Sequence, residues 1–87
     1  MRYRNERIYL QHNPILARMI NDWVSEAMAM VVELEFLNSI PDDRQWKFDW
    51  GKRIAIRMGQ IRTQAEQLGC YKDFNLEMNR ELTARGW

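Results

Sequence analysis

The longest periodic stretch of the chain is NPILARMINDWVSEAMAMVVELEFLN, residues 13–38. Asn13 is a favoured N-cap residue, and Pro14 suits the first helical position because its missing N–H would be unpaired there. The apolar side chains that follow recur at alternating steps of four and three residues, at Leu16, Ile20, Trp23, Ala27, Met30, Leu34 and Leu37. That spacing places them on one face of an α-helix. The stretch therefore predicts a helix over residues 14–38.

This helix carries further apolar residues outside its main seam. Met28, Val32 and Phe36 follow one another at steps of four residues and widen the apolar surface toward the opposite side. A helix that is apolar nearly all round is buried on more than one side. Two interpretations stay open: the central helix of a small bundle, or self-association through Met28, Val32 and Phe36.

A second helix is predicted over residues 41–68, ending at Gly69. Its apolar stripe again alternates steps of four and three residues, at Ile54, Met58, Ile61, Ala65 and Leu68. The segment QWKFDW at residues 45–50 alternates polar and apolar side chains, a pattern that also fits a strand. We expect continuous helix there and keep the strand as the alternative.

The turn between the two helices has its own signals. Asn38 can adopt the left-handed conformation that ends a helix. Ser39 with Asp42 three residues later resembles a capping box, and Asp42 and Asp43 suit the positive end of a helix dipole. These residues predict a tight connection between helices.

A third, shorter helix is predicted over residues 74–84, capped by Asp73 or Asn75 and burying Phe74, Met78 and Leu82. Residues 1–12 show no clean period and are predicted to form an irregular arm. The predicted fold is all-α: an antiparallel helical hairpin with a shorter third helix and an N-terminal arm, in one domain over residues 1–87.

Composition excludes several classes of protein. The 87 residues carry a formal charge of +1 and one cysteine, which argues against a disulfide framework and a cysteine-rich zinc module. The longest apolar run is six residues, far short of the roughly 20 needed to span a bilayer. We therefore expect a cytoplasmic protein with no membrane association.

Charge is nevertheless segregated along the chain. Residues 19–43 contain six acidic residues and no basic one, whereas residues 44–62 contain six basic residues and one acidic residue. One interpretation is that the two helices neutralise each other across the hairpin, in exposed pairs worth about 0–1 kcal/mol each.

The second helix also carries aromatic, basic and amide side chains at helical spacing. We define the Trp–Arg–Gln face as Trp46, Trp50, Arg53, Arg57, Gln60 and Gln64. Trp and Arg are enriched at the energetic centres of protein interfaces. The sequence predicts that this face, with Arg2 and Arg4 of the arm, binds a larger protein. Because aromatic and Arg side chains also stack on bases and contact phosphates, nucleic acid is the alternative partner.

The sequence offers little catalytic chemistry. His12 immediately precedes the Asn13 cap, and Cys70 has no nearby residue that could act as a base toward its thiol. No Glu-x-x-His, paired Cys-x-x-Cys, P-loop or Gly-x-Gly-x-x-Gly motif is present. We predict that the protein is not an enzyme and takes no metal or other cofactor.

In size and in lacking such motifs, the chain resembles the small helical accessory proteins of phages and mobile elements. That likeness rests on no residue-level motif and transfers no site residues. It implies a protein that disables or redirects a larger one. The predicted function is stoichiometric binding as an inhibitor, adaptor or assembly subunit, with a homo-oligomer as a further possibility.

Overall fold

A computed structural model describes residues 13–41 and 44–87 of the chain. Three helices and no strand make up these described residues: α1 (Pro14–Ser39), α2 (Gln45–Gln67) and α3 (Tyr71–Ala84). The all-α prediction is confirmed. The predicted arm, residues 1–12, lies outside the described residues, as do Asp42 and Asp43.

α1 begins where its sequence signals predict. The Asn13 side chain accepts a hydrogen bond from the Leu16 N–H at 3.2 Å, and Pro14 is the first helical residue. At the other end the helix continues through Asn38 to Ser39, whose hydroxyl donates to the Phe36 carbonyl at 2.6 Å. The left-handed stop at Asn38 is therefore wrong, since no described residue other than glycine has a positive φ.

α2 is helical throughout residues 45–50, so the strand alternative is wrong. The helix begins at Gln45 rather than at residue 41, and its N-cap Arg44 makes no side-chain capping bond. Ser39 is the last residue of α1 and lies six residues before Gln45, so it is not placed to cap α2. The Lys47 ammonium joins the two helices by donating to the Ile40 carbonyl at 2.6 Å.

The connection from α2 to α3 is a Schellman turn. Gly69 has a φ of +72°, the Gly69 N–H donates to the Glu66 carbonyl, and the Cys70 N–H donates to the Ala65 carbonyl at 2.9 Å. Cys70 then serves as the N-cap of α3, which starts at Tyr71. The predicted start at residue 74 is thus three residues late.

The core is built by one face of each helix. Its buried residues are Leu16, Ile20, Trp23, Val24, Ala27, Met30, Leu37, Ile54, Ile61, Ala65, Cys70, Phe74 and Met78. No described charged or polar side chain is buried among them. α3 packs more extensively on α1 than on α2. That unequal packing bears on the surfaces described next.

Candidate functional site: exposed surfaces of the second helix

The Trp–Arg–Gln face begins with two tryptophans one helical turn apart. The ring centroids of Trp46 and Trp50 are 6.2 Å apart, with the ring planes tilted by 51°. Trp46 is 41% exposed, while Trp50 is half-buried and packs against the core. Trp50 is thus an anchor for the helix, and Trp46 is the exposed aromatic group of the Trp–Arg–Gln face.

Arg57 is held by an acidic residue of α1. Its Nε donates to Glu26 Oε1 at 2.6 Å and its Nη2 donates to Glu26 Oε2 at 2.8 Å, a two-pronged ion pair. The hydrogen bonds from Arg57 lower the pKa of Glu26 and raise that of Arg57, and partial burial opposes both shifts. The structure thus contains the predicted neutralisation between helices at this position, and Arg57 has less capacity for an outside partner.

The remaining members of the face are open to solvent. Arg53, Gln60 and Gln64 are exposed, and the Gln60 side-chain oxygen accepts a 3.4 Å hydrogen bond from Arg57 Nη1. Arg53 forms no hydrogen bond or ion pair with the described part of the chain. Arg53 and Trp46 are therefore the accessible cation and the accessible aromatic ring of this face.

A second feature of α2 was not foreseen from the sequence. An open groove of about 630 Å³ lies between the end of α1 and the beginning of α2. Its apolar lining consists of Leu34 and Leu37 from α1 with Phe48 and Gly51 from α2. None of the described residues of α3 lines it. The sequence signal was Phe48 followed three residues later by Gly51, a spacing that places both on one side of a helix.

The same groove is bordered by cations. Arg44, Lys47 and Lys52 line it, and none of the described lining residues is acidic. The Lys47 ammonium donates one of its three N–H groups to the Ile40 carbonyl, so two of its N–H groups remain. Lys52 is exposed and bonds to no described residue. The groove thus combines an apolar lining with positive charge.

The predicted self-association residues lie in different environments. Val32 and Phe36 are exposed, with 55% of Phe36 accessible. Met28 is half-buried and packs against the core, so it supplies little free surface. Only Val32 and Phe36 remain as an outward apolar pair on α1.

Near this pair, the C-terminus is tied to α1 by polar contacts. Glu35 accepts hydrogen bonds from Arg85 Nε at 2.8 Å and from the Trp87 indole N–H at 2.9 Å. Both hydrogen bonds lower the pKa of Glu35, and the bond from Arg85 has the larger effect. The contacts span 50 and 52 residues of sequence and fix the end of α3 against α1.

The residues considered for chemistry give no constellation in the described structure. Cys70 is fully buried, and this burial raises the pKa of its thiol, as does the nearby Asp73. Within residues 13–41 and 44–87 no group of three or more His, Cys, Asp or Glu side chains is placed to hold a metal ion. His12, Arg2 and Arg4 lie outside the described residues. Among the described helices, none is both long enough and apolar enough to cross a bilayer.

Comparison with known proteins adds no relative. No family model, no curated protein and no solved structure matches this chain.

Proposed function

We propose that the protein is a non-catalytic binding module that engages a larger protein in the cytoplasm through the Trp–Arg–Gln face. The observation that carries the proposal concerns residues 45–53, the first part of α2. This segment contains three aromatic side chains, yet none of its residues is buried in the core. Exposed aromatic and Arg side chains are the types that dominate binding energy at protein interfaces. As a stoichiometric binder the protein would act as an inhibitor, adaptor or assembly subunit, the role of a phage-type accessory protein.

The charges around this face favour a protein over nucleic acid. Glu26 pairs with Arg57 in the middle of the face, where a phosphate would meet a carboxylate. Nucleic-acid interfaces instead concentrate uncompensated positive charge. A protein surface with an aromatic pocket and a carboxylate for Arg53 suits the arrangement better.

The predicted antiparallel hairpin is part of the proposal, because it presents α1 and α2 side by side. Two sets of contacts support it. Glu26 in the middle of α1 pairs with Arg57 in the middle of α2, and Lys47 near the start of α2 bonds to Ile40 just after α1. Both pairs come together when α1 and α2 run in opposite directions.

The test uses two charge reversals at adjacent positions of α2. Arg53→Glu changes the Trp–Arg–Gln face, while Lys52→Glu makes the same change in the groove, and neither side chain bonds to the described structure. Tagged wild type, both variants and Trp46→Ala are used for affinity capture from a nuclease-treated lysate of the native cell, with mass spectrometry as the readout.

The proposal expects one dominant protein that wild type and Lys52→Glu retain and that Arg53→Glu and Trp46→Ala lose. Circular dichroism should show equal helicity in all four proteins, since the three substituted side chains are all exposed. A partner that every variant retains equally would remove the Trp–Arg–Gln face from the interaction. Recovery of nucleic acid, with protein partners lost after nuclease treatment, would establish the alternative partner.

A separate observation favours self-association as a second property. Val32 and Phe36 lie outward on α1, and Phe36 is more than half exposed. Sedimentation velocity of Phe36→Gln tests this, with Ile15→Gln as a control because Ile15 is a still more exposed apolar residue on the same helix. A dimer that only Phe36→Gln weakens supports the property, and a monomer at high wild-type concentration contradicts it.

A further inference from the structure

We propose that the open groove between α1 and α2 is a docking site for a peptide segment of a partner protein that combines large apolar side chains with carboxylates. The site is distinct from the Trp–Arg–Gln face and contains none of its residues. The volume of about 630 Å³ falls within the roughly 300–1,000 Å³ typical of ligand pockets.

The apolar part of the groove is an extension of the core that the described residues of α3 do not cover. Leu34 packs against the core and Leu37 belongs to it, yet both also line the groove. Phe48 stands at its edge with 69% of its surface exposed, more than any other aromatic side chain of α2. An apolar side chain inserted here would remove Phe48 and the half-buried Leu34 from water, which is the main source of affinity at such sites.

The charged part of the groove selects the partner. Lys47 and Lys52 carry ammonium donors that the described structure does not use up. With no described acidic residue in the lining, a carboxylate on the ligand would be attracted and a cation repelled. Complementary charge chiefly sets specificity and the rate of association.

Gly51 keeps the groove open. An added Cβ at Gly51 would meet no atom within 4 Å, and the same is true of Gly59 farther along α2. Gly51 lines the groove, whereas Gly59 does not. A large side chain at position 51 would therefore occupy space intended for a ligand, and the identical change at position 59 would not.

Charge also discriminates between possible occupants. The first 12 residues of this chain contain Arg2, Arg4 and Arg7 with Glu6 as the single acid. Their net charge is positive, so the cations of the groove would repel them. Nucleic acid would match the cations, but Phe48 is the single aromatic side chain in the described lining, and the two leucines beside it provide no stacking surface for further bases. An acidic peptide with apolar anchors satisfies both parts of the lining.

The experiment selects ligands without assuming their sequence. A displayed library of random short peptides is panned on the wild-type protein, and the most enriched peptide is synthesised with a fluorescent label. Its affinity is measured by anisotropy for wild type, Lys52→Glu, Gly51→Leu, Gly59→Leu and Arg53→Glu. Both glycine replacements raise helix propensity, and Lys52 and Arg53 are exposed, so the variants should fold.

The expected peptides are rich in Asp or Glu beside Leu, Phe or Trp. Their binding should weaken by about tenfold or more in Lys52→Glu and Gly51→Leu, the loss typical of a changed anchor position. Gly59→Leu and Arg53→Glu should bind as wild type does. This pattern would stand even if the Trp–Arg–Gln face bound nothing, so the two proposals succeed or fail separately.

Five results would overturn the proposal. Enriched peptides without an excess of acidic residues would contradict the charge argument, and unchanged affinity in Gly51→Leu would exclude the groove. Loss of binding in Arg53→Glu alone would assign the peptides to the Trp–Arg–Gln face. Wild-type self-association that Gly51→Leu abolishes would identify a second copy of the chain as the occupant. Displacement of the peptide by single-stranded oligothymidine would identify nucleic acid as the occupant.

Discussion

The two halves of α2 differ in how they use their apolar residues. Every buried residue of α2 lies within residues 54–65, where the apolar side chains are mainly aliphatic. Residues 45–53 contain Trp46, Phe48 and Trp50 and no buried residue. The larger side chains of α2 are therefore its less buried ones, although Phe and Trp are highly buried on average in folded proteins.

The difference follows from where the third helix packs. Gly69 reverses the chain direction at the end of α2. The Arg62 guanidinium lies 5.2 Å from the centroid of the Tyr71 ring, which is a cation–π contact between α2 and α3. The groove beside residues 45–53 has no described α3 residue in its lining. One helix thus contributes buried core residues from one half and leaves Trp46 and Phe48 exposed on the other.

The largest expected effect separates two isoleucines of α2. Ile61 is fully buried and Ile56 is 54% exposed. Ile61→Ala should lower the free energy of unfolding by about 2–5 kcal/mol through lost burial and a cavity. Ile56→Ala should change it by less than about 0.5 kcal/mol. Urea denaturation followed by circular dichroism measures both, and equal losses would show that the solvent-facing side of residues 54–65 also contributes to the core.

Next in size is the effect of removing the helix-interior glycines, one in each half of α2. Gly51→Ala and Gly59→Ala should each raise the free energy of unfolding by about 1 kcal/mol, because alanine favours helix and the new methyl meets no atom within 4 Å. Thermal denaturation of both variants tests this. A destabilised Gly51→Ala would mean that the groove is closed in solution.

A smaller effect is expected from the ion pair that joins α1 to α2. Glu26 and Arg57 have side chains that are 42% and 37% exposed, so solvent screens their attraction. A double-mutant cycle with Glu26→Gln and Arg57→Gln should give a coupling free energy of about 0–1 kcal/mol. A coupling well above that range would indicate that the pair orients the two helices more strongly than an exposed pair does.

The smallest effect concerns acid and the C-terminus. Hydrogen bonds from Arg85 and Trp87 hold the pKa of Glu35 below its ordinary value of 4.5. The contact therefore stabilises the folded state above that pH and is lost as the pH falls through the lowered pKa. Tryptophan fluorescence should show an acid transition that Trp87→Phe removes. The same transition in Glu35→Gln would contradict this assignment.

Much of the helical framework could be predicted because its signals are local. The Asn13–Pro14 start and the Gly69 stop each depend on a few neighbouring residues, and the structure has both. The start of α3 was predicted too late because Asp is a preferred N-cap residue and Cys is not, which favoured Asp73 over Cys70. The Schellman turn at Gly69 lets the next helix begin at once, and that geometry overrode the preference.

The surfaces were harder to predict because they depend on how the helices meet. Spacing placed Trp46 and Trp50 on one face of α2 correctly, but it could not show that Trp50 turns toward the core while Trp46 does not. It also could not show that Glu26 would meet Arg57. Predicting the groove would have required the packing position of α3, and sequence periodicity does not give that position.

Cys70 gives the molecule a built-in reporter of its own opening. It is the single cysteine of the chain, and its sulfur lies fully buried at the junction of α2 and α3. A thiol reagent can reach it only when that junction separates, so the rate of alkylation in native buffer measures the opening equilibrium there. The half of α2 that is covered by α3 can thus be followed in the unmodified protein, without a label or a substitution.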